Sequence, residues 1–307
     1  MKGLELCRAF YEAVGKPMLE RHFGELLGRV AVGLVGHGSE CFGFDDAVSR
    51  DHDFEPSFSL WLTDEDMARY GEELMKAYIE LPKSFMGVSV QGQSALGSNT
   101  RGVQTIHGFY RYYTGCNGVP ETPEAWANIP SFYLAEATNG EVFSDPLGEF
   151  SEIRRGLLED MPEDARKKRL ASSLLLMAQS GQYNVMRAYK RGEYAAAHLA
   201  LSRFAEAALQ AIYLLNHQYA PYYKWIFRKA RQLPILAYEV KLLDTLVCNP
   251  LGNVTGVMID EIASGVIKEL KRQGYADGEG GYLEPYAFRI HETIRDDGLR
   301  SMPIILD

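Results

Sequence analysis

Cysteine is scarce in this chain: 307 residues hold four, Cys7, Cys41, Cys116 and Cys248, too widely spaced for a Cys-x-x-Cys metal knuckle or a dense disulfide framework. Reduced thiols in a cytosol are therefore expected. Long apolar runs are missing too. No uninterrupted stretch approaches the roughly 20 residues of a membrane-crossing helix, and Met1 to Glu5 does not open the long apolar core of a signal peptide. A cytoplasmic protein with no membrane partner is the expectation. An excess of basic residues is the third absence. Lys and Arg number 32 against 41 Asp and Glu, a formal charge of -9 with pI ≈ 5.4, which argues against broad electrostatic attachment to nucleic acid or an anionic membrane surface. A polynucleotide partner is not expected. The clusters Arg166-Lys167-Lys168-Arg169 and Arg228-Lys229-Ala230-Arg231 are local exceptions and read as solvated helix faces.

What the chain does have is a short buried strand running into a glycine turn. Val30 to Val35 is β-branched and uncharged, and Gly36-His37-Gly38-Ser39 follows it directly. Glycine lets the backbone approach a ligand that any Cβ would block. The amides after the turn, with the Ser39 hydroxyl, are placed to donate to phosphate oxygens at the N-terminus of a short helix. Ser49-Arg50-Asp51-His52-Asp53 comes next. On a strand, a period of two puts Asp51 and Asp53 on one face, about 6.6 Å apart. Two such carboxylates repel each other unless a hard divalent cation lies between them, and magnesium or manganese keeps open positions for phosphate oxygens. The combination points to phosphoryl or nucleotidyl transfer.

These residues resemble a known family. Gly38-Ser39, Gly43, then Ser49 and Asp51-x-Asp53 are similar to the nucleotidyltransferase superfamily typified by DNA polymerase β and the aminoglycoside nucleotidyltransferases. Gly38 to Asp46, Gln182-Tyr183-Asn184, Leu214-Leu215-Asn216 and Tyr219 to Trp225 resemble a bacterial branch known mainly as a domain of unknown function. The resemblance implies phosphate contacts from Gly38 and Ser39, and metal ligation with catalysis from Asp51 and Asp53. It also implies a helical domain closing the pocket, where Lys224 would reach the triphosphate and Gln182, Asn184 and Arg187 would face nucleotide or acceptor. The substrates so implied are an NTP, ATP first, and a small-molecule or protein acceptor. A third acid usually stands on a neighbouring strand, but residues 102–107 offer Gln104 and His107 instead. Glu55 and Asp145 are the substitutes, for that role or as general base. Without one of them the chain would be a nucleotide-binding or regulatory, antitoxin-like protein of the same fold. Self-association stays open.

The expected fold class is α+β: a nucleotidyltransferase-like mixed sheet with flanking helices over residues 1–150, then an α-helical bundle over 151–307. Spacing predicts two short helices divided near Gly15-Lys16-Pro17, a strand from Phe54 to Leu62, and a helix capped by Thr63 running to Ile79. The aromatics Phe109, Tyr110, Tyr112 and Tyr113 suit a core. In the second half, Tyr194, Ala197, His198, Leu201, Phe204, Ala205, Ala208, Ile212 and Leu215 form an apolar stripe at steps of three and four, with His198 expected inside.

Overall fold

The computed structural model describes residues 1–48, 54–90 and 101–306. Its first half runs α1 (Gly3–Phe10), α2 (Lys16–His22), β1 (Ala31–Leu34), β2 (Ser59–Leu62), α3 (Asp64–Ile79), β3 (Ser84–Phe85), β4 (Val88–Ser89), β5 (Gly102–Thr105), α4 (Ile106–Thr114), α5 (Pro123–Asn128), α6 (Ser131–Thr138), β6 (Glu141–Ser144) and α7 (Glu149–Glu159). The second half is helical: α8 (Glu163–Met177), α9 (Met186–Lys190), α10 (Tyr194–Leu215), α11 (Tyr223–Ala230), α12 (Ala237–Cys248), α13 (Thr255–Arg272), α14 (Glu284–Glu292) and α15 (Asp297–Ser301). The architecture is α+β. Contacts divide the chain into one unit of Met1–Pro120 with Tyr133–Asp160 and a second of Glu121–Phe132 with Met161–Asp307. None of the described helices is long and apolar enough to cross a membrane.

The first unit is built on a mixed sheet in the order β5-β2-β1-β6. β1 pairs antiparallel with both β2 and β6, while β2 and β5 run parallel, joined through α3. The two central strands are buried at every position, as their uncharged sequences require. Alternation along β2 sends Leu60 and Leu62 into a core with Phe10, Leu19, Phe58, Leu74 and Val103. Trp61 points the other way, stacked on Phe150 at 4.1 Å and edge-on to Phe109 at 5.4 Å. The aromatic run of α4 is thus mainly core: Phe109, Tyr110 and Tyr113 are buried and Tyr112 is exposed. Thr63 accepts the Asp66 amide at 3.1 Å and starts α3 where the spacing predicts.

Two local expectations are corrected. The amino-terminal helices are not divided at Pro17: a π-helical turn over Tyr11–Gly15 joins them, with the Lys16 amide bonding to the Tyr11 carbonyl. A wider turn absorbs the register change that a proline lacking its N–H forces on the α-helical ladder. The strand expected from Phe54 begins only at Ser59, because Pro56 cannot donate to a ladder.

In the second unit α10 forms the spine. Its buried positions, from Leu201 through Phe204, Ala208 and Ile212 to Leu215, pack with α8, α12, α13 and α14 into one core. His198 is exposed, correcting the expectation that it lies inside: at this end of α10 the covered line runs through Ala197, Leu201 and Phe204, and His198 sits one residue, about 100° of helix, off it. The Arg166–Arg169 run is also not a solvated face. Lys168 is fully buried and donates to the Met302 carbonyl at 2.9 Å, and Arg169 donates to the carbonyls of Trp126 and Ile129. Desolvation lowers the Lys168 ammonium and brings Arg169 down to about 10. In the other cluster, Arg231 makes an exposed bidentate pair with Asp244.

Burial also sets the alkaline limit of both units. Tyr78, Tyr110 and Tyr213 donate to the carbonyls of Phe58, Phe150 and Ile226. Desolvation raises these three phenols and Tyr113 well above the ordinary value, and Tyr275 to about 12. A folded-state pKa raised above the unfolded value of about 10 gives stability that is complete below pH 10 and is lost as pH rises further. The buried guanidinia Arg101, Arg154 and Arg169, lowered by desolvation, act in the opposite sense over the same window. Five phenols against three guanidinia and the Lys168 ammonium, also lowered by burial, leave a net loss. Absorbance at 295 nm on raising the pH from 9 to 12.5 is expected to show these tyrosines ionising together with loss of ellipticity, not near pH 10 with the exposed ones.

Candidate nucleotide-binding turn

β1 delivers the chain at Val35 into a turn that only glycine fits. Gly36 and Gly38 have φ of 117° and 121°, and a Cβ on Gly38 would lie 2.4 Å from Glu40 Oε1. Asn139, just before β6, clamps the turn: its Oδ1 accepts the Gly36 amide at 2.8 Å and its Nδ2 donates to the Gly36 carbonyl at 2.8 Å. The Gly140 amide bonds to the Cys41 carbonyl at 2.8 Å. The backbone of the turn is therefore fixed from the neighbouring strand, not by its own side chains. The short helix expected after it does not form. Ser39 O accepts the amides of both Phe42 and Phe44, Glu40 O accepts that of Gly43, and Gly43 at φ 67° closes a tight turn. Among the described residues, the amides of Gly38 and Ser39 donate to no acceptor.

Beneath the turn lies a buried charge cluster. Arg101 pairs through Nη2 with Glu40, donates from Nη1 to Ser57 Oγ at 3.0 Å, and stands 3.8 Å from Glu55. Glu40 is 2% exposed, and its Oε2 accepts the Ser39 hydroxyl at 3.4 Å. His37, on the outer side, has Nδ1 3.6 Å from the buried Glu136.

Asp51 and Asp53 lie outside the described residues, as does His52. The candidate substitutes for a third acid are otherwise engaged. Glu55 faces Arg101, and Asp145 takes the amides of Gly148 at 3.2 Å and Ser151 at 2.8 Å, capping α7. His107 bridges two helix starts, 2.7 Å from Asp64 and 3.4 Å from Glu149. Among the described residues no group of three or more His, Cys, Asp and Glu side chains is placed to hold a metal ion.

The second unit holds the remaining candidates. Lys224 is the second residue of α11, exposed, with Nζ 6.0 Å from the Trp225 ring. Gln182 serves the fold: its amide nitrogen donates to Asp260 at 3.1 Å and to the Gly281 carbonyl at 2.8 Å, and its oxygen accepts the Leu283 amide at 3.0 Å. Sequence reasoning missed Glu40, Arg101 and Asn139. Glu40 stood within the quoted motif, yet nothing in its spacing disclosed a partner 61 residues away.

With this geometry in hand, residues 126–226 match a family described as "Domain of unknown function (DUF4037)". Among solved structures, the chain is similar to a nucleotidyltransferase-like protein from Exiguobacterium sibiricum 255-15, at 11% identity and a TM-score of 0.39, covering 92% of this chain and 81% of that one. No curated protein matches.

Proposed function

We propose that the protein is a metal-dependent nucleotidyltransferase that moves NMP from an NTP, ATP first, to a small-molecule or protein acceptor and releases pyrophosphate. The observation that supports this most is the glycine turn at the end of β1, whose Gly38 and Ser39 amides are unengaged among the described residues and whose backbone is held by Asn139. Such amides bind phosphate oxygens without rearranging. Gly38 and Ser39 would hold the polyphosphate; Lys224 is assigned to nucleotide on the sequence resemblance alone, as a point charge for phosphate. The transfer forms a bond from the acceptor oxygen to the α-phosphorus and breaks the bond to the departing pyrophosphate.

Magnesium or manganese is assigned to Asp51 and Asp53, on their sequence spacing. An ion there would supply charge stabilisation at the phosphates. The described residues add no third carboxylate, since Glu55 and Asp145 are taken up by Arg101 and by the start of α7. That engagement favours one second reading, a protein of the same site that binds nucleotide as a sensor or regulator without turnover.

Calorimetric titration with each NTP, with and without magnesium, tests both. The wild-type chain is expected to bind in a metal-dependent way, and Asp51→Asn combined with Asp53→Asn to lose that binding at least a hundredfold with an unchanged unfolding midpoint. Undiminished binding in the double variant removes the metal assignment. Pyrophosphate release on adding candidate acceptors separates the enzyme from the sensor.

A further inference from the structure

The second unit carries a cavity that the glycine turn, the aspartates and Lys224 leave unused, although Asn184 and Arg187, expected from the resemblance to face nucleotide or acceptor, are among its lining. It has a volume of about 520 Å³ and opens between the segment Ala178–Arg191 and the first half of α10. This volume suits a small ligand, since such pockets run from about 300 to 1,000 Å³. Three arginines are among its lining residues: Arg187 and Arg191, one helical turn apart, and Arg203 from α10. Arg191 and Arg203 pair with no carboxylate among the described residues, and Arg187 rests over the Tyr183 ring at 4.4 Å. Glu193 is the single acid in the described lining. In a chain where acids outnumber bases 41 to 32, the exposed Arg187 and Arg191 stand as like charges at i and i+4, with Arg203 on the same cavity.

The wall opposite α10 is a π-helix, Ala178–Val185, inserted between α8 and α9. Such insertions often accompany functional sites because they re-aim side chains without breaking the helix. This one is pressed onto α10 at Gly181, where a Cβ would lie 2.2 Å from the Phe204 ring. Gln179 and Asn184 of the widened turn are also among the lining residues, while the Ser180 hydroxyl turns back to the Leu176 carbonyl. Leu176, Ala196 and Ala200 supply an apolar wall. Guanidinium forks match phosphate oxygens two at a time. One inorganic ion would leave the apolar wall bare.

We propose that this cavity binds a small organic phosphate, its phosphoryl group among Arg187, Arg191 and Arg203 and its carbon body against Leu176, Ala196 and Ala200. The site does not rest on the nucleotidyltransferase reading, and it requires no divalent ion.

The test is calorimetric titration of the full chain with phenyl phosphate and with inorganic phosphate, in EDTA. Phenyl phosphate is expected to bind once per chain, at least tenfold more tightly than inorganic phosphate. Arg191→Gln with Arg203→Gln should weaken it at least tenfold, and Arg191→Lys with Arg203→Lys by less, at an unchanged unfolding midpoint. Amide exchange should slow between residues 184 and 203. The Asp51→Asn, Asp53→Asn chain should bind phenyl phosphate as the wild type does, so either idea can fail alone. Absence of saturable binding, equal binding by the glutamine variant, or protection confined to the turn at Gly36–Gly43 would overturn the proposal.

Discussion

Arg101→Met is expected to destabilise the first unit by about 3–5 kcal/mol, the range for removing one partner of a buried ion pair. Arg101 has a side chain 15% exposed, and Glu40, which it pairs with, one of 3%. Without the guanidinium, Glu40 must either remain charged in the interior or take up a proton, and Ser57 and Glu55 lose a common donor. Glu40 lies directly under Gly38, so movement of its carboxylate reaches the turn backbone. Nucleotide binding should fall together with stability. Combining Arg101→Met with Glu40→Leu separates the two effects. An apolar pair of similar volume removes the unpaired charge and should recover most of the stability, because replacing both members of such a pair is often close to neutral. NTP affinity should stay low, because the floor of the turn has changed shape. Urea unfolding and NTP titration on the three variants decide the matter. A loss below about 1 kcal/mol in the single variant would show the cluster to be solvated and weak.

Features written in consecutive residues were the ones that could be read in advance. Thr63 with Asp66 announces the start of α3 because a cap and its target amide are three residues apart. Val30 to Val35 announces a buried strand because its side chains are all of one kind. The turn glycines are legible for the same reason, as the positive φ at Gly36 and Gly38 is a property of those residues alone. What escaped was set by partners distant in sequence. A basic run such as Arg166–Arg169 looks solvated until Ile129 and Met302 bring carbonyls to it. Asp145 looks like a spare acid until α7 begins four residues later and its first amides need an acceptor. The π turns at Tyr11–Gly15 and Ala178–Val185 shift the helical register by one residue, which no fixed period detects. His198 obeyed the stripe's spacing, but at that end of α10 the buried line is narrow, running through Ala197 and Leu201 and leaving His198 beside it in solvent.

Asn139 and Asn216 show one device used in both units: a single amide clamping the backbone of a residue far along the chain. Asn216 ends α10, donating from Nδ2 to the carbonyls of Ile212 at 2.8 Å and Ile235 at 3.0 Å, while its Oδ1 accepts the Ile235 amide at 3.0 Å. The clamp holds the chain just before Leu236, whose φ of 63° is unfavourable for a branched residue and must be imposed from outside. Asn216→Asp keeps the shape and the acceptor but puts an oxygen against two carbonyls. The expected loss at pH 8 is about 2–4 kcal/mol: two donors are gone and a charge faces acceptors. The sign of its pH dependence follows. Carbonyl neighbours raise the new carboxyl's folded-state pKa above the unfolded value near 3.9, so the deficit is smallest below about pH 4 and grows as pH rises through the higher folded value. Chemical denaturation of the Asn216→Asp and wild-type chains between pH 4 and 8 measures it. A difference that is small at pH 8, or that does not change with pH, would mean that the amide donors at Ile212 and Ile235 contribute little to holding the end of α10.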